Sequence, residues 1–256
     1  MKKIILHIPK TAGTTIRMIL EDDEKVKLLS VYPGEKHYTQ LSDIKKMDLK
    51  DYDIIYGHIN FGIHNLAKID DFKYIAFLRN PVDRIISYYN HVMYNDPNFK
   101  NKPISLIKFL NRPDKQVYNH QVRVISGIDF DKFHCNDKIF EKAVENLKKY
   151  FLMVGITEEF DKSLILLYYF LNKETPGYVK ENVSTKKIFT KESLSIYEID
   201  KIRLLNTYDL ALYQEAKRLL NQKINELNIN IKEELQKLKE KKEYIQKIKK
   251  PKVIWS

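Results

Sequence analysis

Residues 4–15 read Ile-Ile-Leu-His-Ile-Pro-Lys-Thr-Ala-Gly-Thr-Thr, and they constrain the fold more than any other stretch. An apolar run ends in a Pro-Lys step. A short loop of small and hydroxyl residues follows, and a helical pattern then begins. Strand, loop and helix N-terminus in that order form an anion site, because the first N–H groups of a helix lack intrahelical partners and its dipole favours negative charge. Gly13 permits close backbone approach to an anion, Thr11, Thr14 and Thr15 offer hydroxyls, and Lys10 can neutralise a bridging oxygen. A Walker A loop is disfavoured, since its lysine follows the last glycine at the helix start, whereas Lys10 precedes Gly13.

Three further apolar runs, at residues 54–58, 74–78 and 151–154, read as strands beside the one at 3–8. Helical periodicity occupies residues 82–94 and 139–147. Strands alternating with helices predict an α/β fold, a P-loop-like parallel sheet flanked by helices. Residues 97–113 contain three prolines and read as a loop around a short helix. From about residue 228 Lys and Glu dominate, with Ile231, Leu235, Leu238 and Ile245 at spacings of three and four. The expected organisation is one domain over residues 1–225 and a charged, basic amphipathic helical extension over 226–256. Lys242 interrupts the apolar seam, which argues against a long coiled coil and for a solvated helix packed on its own domain rather than on a membrane.

The chain has 256 residues, with 45 Lys and Arg against 34 Asp and Glu, a formal net charge of +11. That balance favours anionic partners, although abundant Lys, Ile, Asn and Tyr together also match the composition of an AT-rich coding sequence. A single cysteine, Cys135, allows no intrachain disulfide and fits a reducing compartment. With no run of some 18 apolar residues and no signal-peptide pattern, the expected location is cytoplasmic.

The second chemical element is Arg79-Asn-Pro81-Val-Asp83-Arg84-Ile-Ile-Ser87-Tyr-Tyr. An arginine fork at a strand's C-terminal end and a serine in the following helix suit a phosphate. Arg84 reads as either functional or structural. His58 follows the second apolar run, at the rim where α/β proteins bind ligands, and an imidazole suits a general base near neutral pH. His7 reads as a buried strand residue that steadies the loop, and His64 is a weaker base candidate.

Taken together, His7 to Thr15 and Arg79 to Tyr89 resemble the phosphosulfate-binding loop and the 3′-phosphate motif of sulfotransferases that use 3′-phosphoadenosine-5′-phosphosulfate (PAPS). The likeness is to the heparan and dermatan sulfate 2-O-sulfotransferases and their bacterial relatives. Gly57-His58-Ile-Asn-Phe61, Asn119-His-Gln121-Val-Arg123, Val154-Gly155-Ile-Thr157-Glu158 and Asn182 to Lys187 extend it over about residues 3–222. The last segment departs from the common Arg-Pro ending. The resemblance implies PAPS as co-substrate with no metal, His58 and Lys10 as catalytic, and Lys10, Thr11, Gly13, Thr14, Thr15, Arg79, Ser87 and Lys186 as nucleotide contacts. Arg123 is expected to bind the acceptor, a glycan or other hydroxyl compound; no nucleic-acid partner is expected. The alternatives are a P-loop nucleotide kinase or NTPase, and a non-catalytic binder of anionic polymers.

Overall fold

The apolar runs become one sheet because each is buried on both faces, as parallel strands between two helical layers must be. In a computed structural model of the chain, described over residues 1–130, 134–179 and 189–248, the strands are β1 Lys2–Leu6, β2 Leu28–Val31, β3 Ile54–Gly57, β4 Phe72–Leu78 and β5 Phe151–Ile156. All pair in parallel, in the order β2-β3-β1-β4-β5. The helices are α1 Gly13–Glu21, α2 Leu41–Ile44, α3 Ile63–Leu66, α4 Pro81–Asn95, α5 Leu106–Leu110 and α6 His120–Ser126, then α7 Asp137–Tyr150, α8 Phe160–Phe170, α9 Ile196–Leu205, α10 Thr207–Glu226 and α11 Ile231–Ile248.

The α/β class expected from the sequence is the fold observed, with a fifth strand that the apolar pattern did not signal. In β2 only Leu29 and Val31 are buried, and four residues are too few to set a period. Its pairing with β3 is close. A Cβ on Gly57 would lie 1.7 Å from the Val31 carbonyl oxygen, so that position demands glycine.

The strand order fixes where ligands can sit. From β1 the chain crosses toward β2 on one side; from β4 it crosses toward β5 on the other. The crossovers diverge between β1 and β4, and the gap beyond the C-terminal ends of those two strands is the switch-point crevice of an open α/β sheet. The loop at residues 7–12 and the Arg79 segment both open there.

Local chemistry sets the helix starts beside this gap. Asn80 caps α4, its Oδ1 accepting the Val82 N–H at 3.0 Å with Pro81 at the first helical position. Helix α6 starts on the Asp209 carboxylate of α10, which accepts from the N–H groups of Gln121 at 3.1 Å and Val122 at 2.8 Å. The C-terminal α11 lies against α8 with Leu238 buried. Lys242 sits at its seam position by pairing with Asp161 at 3.0 Å, over the Tyr178 ring at 4.7 Å. An ion pair with a cation–π contact thus occupies the place where the heptad pattern called for an apolar residue.

Candidate active site

The loop after β1 turns on two left-handed residues, Lys10 at φ 71° and Ala12 at φ 65°. Neither is glycine, so neighbouring structure must hold them there. Arg79 Nη1 donates to the Lys10 carbonyl at 3.1 Å, and the buried Tyr56 hydroxyl donates to the Gly13 carbonyl at 2.6 Å. Thr11 faces inward, its Oγ1 donating to the Ile8 carbonyl at 2.9 Å. The buried Thr11 hydroxyl, expected from the sequence to contact the nucleotide, braces the loop. Gly13 is not a left-handed turn residue. It is glycine because a Cβ there would stand 1.9 Å from Cδ2 and Nε2 of His7, whose ring lies under the start of α1. Thr14 is exposed and Thr15 half-buried in the first turn, where the N–H groups of residues 13–15 precede the first intrahelical donor, Ile16 N–H to the Ala12 carbonyl.

Arg79 reaches this loop from the end of β4, and its backbone is clamped by a residue the sequence did not single out for that role. The Arg79 N–H donates to Gln121 Oε1 at 2.9 Å, and Gln121 Nε2 donates back to the Arg79 carbonyl at 2.9 Å. Gln121 is fully buried at the start of α6. The next residue is held from β5's side, the Asn80 N–H donating to Glu158 Oε1 at 2.9 Å. Ser87 is half-buried in α4 and shares a face with Asp83 and His91 through i,i+4 spacing. Burial and then the Lys10 charge lower the pKa of His91, so that face of α4 looks toward the loop lysine.

Arg123 lies within the fold, on α6. It is buried, donates to Asp129 Oδ1 and the Phe130 carbonyl, and lies 3.9 Å over the Phe130 ring. Arg123, the residue expected to bind the acceptor, thus spends its guanidinium on contacts inside the fold. Arg84 is fully buried, donates to the Gln116 carbonyl, and is drawn electrostatically to Asp209. His64 turns into an aromatic cluster, with Nδ1 2.7 Å from the Tyr74 hydroxyl and its ring stacked on Phe72. Lys186 and the rest of the segment at 182–187 lie outside the described residues.

His58 follows β3, its N–H donating to the Val31 carbonyl at 3.1 Å. The side chain is exposed at the rim, with its ring 4.5 Å from that of His7 and 4.7 Å from that of Tyr32. His7 Nδ1 is in turn 2.8 Å from the Tyr32 hydroxyl. The surrounding protein, followed by the Arg17 charge, brings the pKa of His58 down to about 4. Burial, His58, Arg17 and Lys10 bring that of His7 down to about 3. Both imidazoles are neutral at pH 7. Arg17 itself, one turn into α1, lay unnoticed in the sequence because only the fold brings it to His58.

The electrostatics of the crevice are one-sided. Burial lowers the Lys10 pKa first and Arg79 lowers it further, and among the described residues no carboxylate opposes them. For Arg79 burial dominates, and Glu158 and Asp83 only partly offset it. Two half-buried cations held together beside free helix N–H groups fit an anion carrying more than one negative charge. Among the described residues no group of three or more His, Cys, Asp or Glu is arranged to hold a metal ion, and no helix is long and apolar enough to cross a membrane.

Sheet order and crevice together define a P-loop-like α/β protein with a cationic crevice at its switch point. Within that class, the family model for galactose-3-O-sulfotransferases matches residues 1–250, and the chain belongs to that family. A sulfotransferase family was expected from the motifs; the matching model is the galactose-3-O one. Among solved structures, a mouse sulfotransferase, SULT7A1, complexed with PAP is similar at 16% identity, with a TM-score of 0.43. The match covers 79% of this chain and 62% of that one, so the chain spans less than two thirds of that protein's length. No curated protein matches the chain.

Proposed function

We propose that this protein transfers a sulfuryl group from PAPS to a hydroxyl of a carbohydrate acceptor, with His58 as the general base. The observation that carries the reading is the pairing of Lys10 with Arg79 over the β1–β4 gap, with no carboxylate offsetting Lys10 among the described residues, beside a neutral imidazole one strand away. The family description supports a carbohydrate acceptor, since galactose 3-O names a sugar hydroxyl.

Each residue has a separable task. The α1 N–H groups with Thr14 and Thr15 hold the phosphosulfate end, and Arg79 with Ser87 holds the 3′-phosphate. PAPS supplies an activated sulfuryl group. His58 removes the acceptor's hydroxyl proton as the new O–S bond forms, and Lys10 neutralises the charge left on the phosphate oxygen as the old S–O bond breaks. Positioning and electrostatics do most of the work, as in phosphoryl transfer. In the free protein His58 is a weak base. Negative charge in the crevice offsets Arg17 and raises its pKa toward the working range when the nucleotide is bound.

The test is a transfer assay with sulfur-labelled PAPS against a panel of galactose-terminated and other saccharides. His58→Ala should lower transfer by at least about a hundredfold. Its affinity for the desulfated nucleotide PAP, measured by calorimetry, should stay within a few-fold of the parent. Undiminished turnover in the variant removes His58 from the mechanism. A protein stabilised by ATP with magnesium and indifferent to PAP is a kinase-like enzyme instead.

A further inference from the structure

Lys10 and Arg79 lie over β1 and β4, while the residues around His58 on its far side come from α1 and from the segment after β2, at the opposite end of the sheet order. There Arg17 lies with its guanidinium carbon 5.5 Å from the Tyr32 ring centre and 5.2 Å from that of Tyr38. Tyr32 meets His58 edge-on at 4.7 Å, so the contacts run unbroken from Arg17 through Tyr32 to the imidazole. Arg17 Nη1 donates to the Tyr38 hydroxyl, its Nε is buried without a hydrogen-bond partner, and the exposed Glu21 carboxylate comes only to 3.7 Å.

The loop carrying Tyr38 is built to stay in place. Gln40 Oε1 accepts the Gly34 N–H at 2.8 Å, and Gln40 Nε2 donates to the carbonyls of Glu35 at 2.9 Å and Tyr38 at 2.8 Å. Val31 and Thr39 form a parallel bridge that anchors the loop to the end of β2. A fixed guanidinium beside the half-buried Tyr38 ring, with buried Tyr32 beneath, suits a sugar that bears a carboxylate or sulfate. The fork takes the anion, and the ring takes the apolar face of the sugar.

We propose that Arg17, supported by Tyr32 and Tyr38, is the acceptor-side subsite for an anionic group on the saccharide. The inference rests on the reading of His58 as the base, because the acceptor hydroxyl must lie at His58 and the crevice on the Lys10 side belongs to the nucleotide. It assigns the acceptor to the acidic saccharides and makes Arg17 a specificity-determining residue.

The experiment uses the full chain saturated with PAP, which fills the donor site, and compares trigalacturonate with its methyl ester by calorimetry. These probes share a scaffold and differ in charge. The parent protein should bind the acid at least about tenfold more tightly, the scale of a charge-assisted hydrogen bond. Arg17→Gln should abolish that preference with PAP affinity unchanged within about twofold, and Arg17→Lys, which keeps the charge but loses the fork, should retain part of it. Matched melting temperatures show that the variants are folded. Equal binding of acid and ester by the parent, or a preference that survives in Arg17→Gln, overturns the proposal. So does a variant that loses PAP affinity, since Arg17 then serves the nucleotide. Failure of the parent to bind PAP counts against the sulfotransferase reading alone; the acid-to-ester ratio measured without nucleotide still decides the role of Arg17.

Discussion

Replacing Gly13 with alanine tests whether the His7 ring really supports the anion loop. The added methyl would fall 1.9 Å from two ring atoms of His7 and 2.7 Å from a third. Ordinary carbon contacts lie near 3.5–4.0 Å, so ring or helix must move by roughly 1.5–2 Å. The ring has little room, being packed by Tyr56 at 5.4 Å and His58 at 4.5 Å and bonded to the Tyr32 hydroxyl. Overpacking of this kind costs about 1–3 kcal/mol, and loss of the His7–Tyr32 bond adds about 1. A destabilisation of about 3 kcal/mol corresponds to roughly 6–12 °C in melting temperature for a domain of this size. Urea and thermal denaturation measure it, with PAP affinity as a second readout of the displaced helix start. The double variant His7→Ala, Gly13→Ala removes the obstacle, so it should be less destabilised than the sum of its singles by more than about 1 kcal/mol. Unchanged stability in Gly13→Ala, or strict additivity in the cycle, refutes the packing argument.

Four other outcomes are expected. The acid limb of kcat/KM, which reports the free protein, should fall near pH 4, where His58 takes up a proton, while the limb of kcat lies higher because bound nucleotide raises that pKa; identical limbs near 6.5 contradict the environment described for His58. Folding stability should decline on the same descent, since an unfolded histidine binds a proton below about 6.5 while His7 in the folded chain resists it until about pH 3. Arg79→Ala should weaken PAP by about ten- to a hundredfold in calorimetry, through lost phosphate contacts and release of the Lys10 carbonyl; unchanged binding contradicts the clamp. Gln121→Leu leaves the N–H and carbonyl of Arg79 without their buried partners and should cost about 2–4 kcal/mol in urea denaturation, with a change below about 0.5 kcal/mol counting against it.

Long apolar runs made most of the sheet legible in the sequence. Strands β1, β3, β4 and β5 announce themselves because burial on both faces gives each a continuous apolar run, with lysines only near the start of β1 and β4, whereas β2 carries Ser30 in a four-residue span and is defined by its neighbour β3. Lys10 and Arg79 were legible as a local grammar of strand end and helix start. Arg17, Tyr32 and Gln121 were not, since their positions depend on pairing between segments far apart in the chain. The side a side chain faces was the least readable property. Thr11 points inward because left-handed backbone at Lys10 and Ala12 rotates it there, and Arg123 is buried because Phe130 and Asp129 close over it.

The left-handed conformations of Lys10 and Ala12 bear on how fast the crevice can fill. Each costs on the order of 1–2 kcal/mol for a residue with a side chain, and the bonds from Arg79 and Tyr56 hold the turn in the chain without any ligand. Folding absorbs that cost, and an arriving anion meets a loop already in its final shape. Capture then needs no rearrangement of this turn. Its rate is set by diffusion under the pull of a chain with a formal net charge of +11, and salt slows arrival more than it speeds departure.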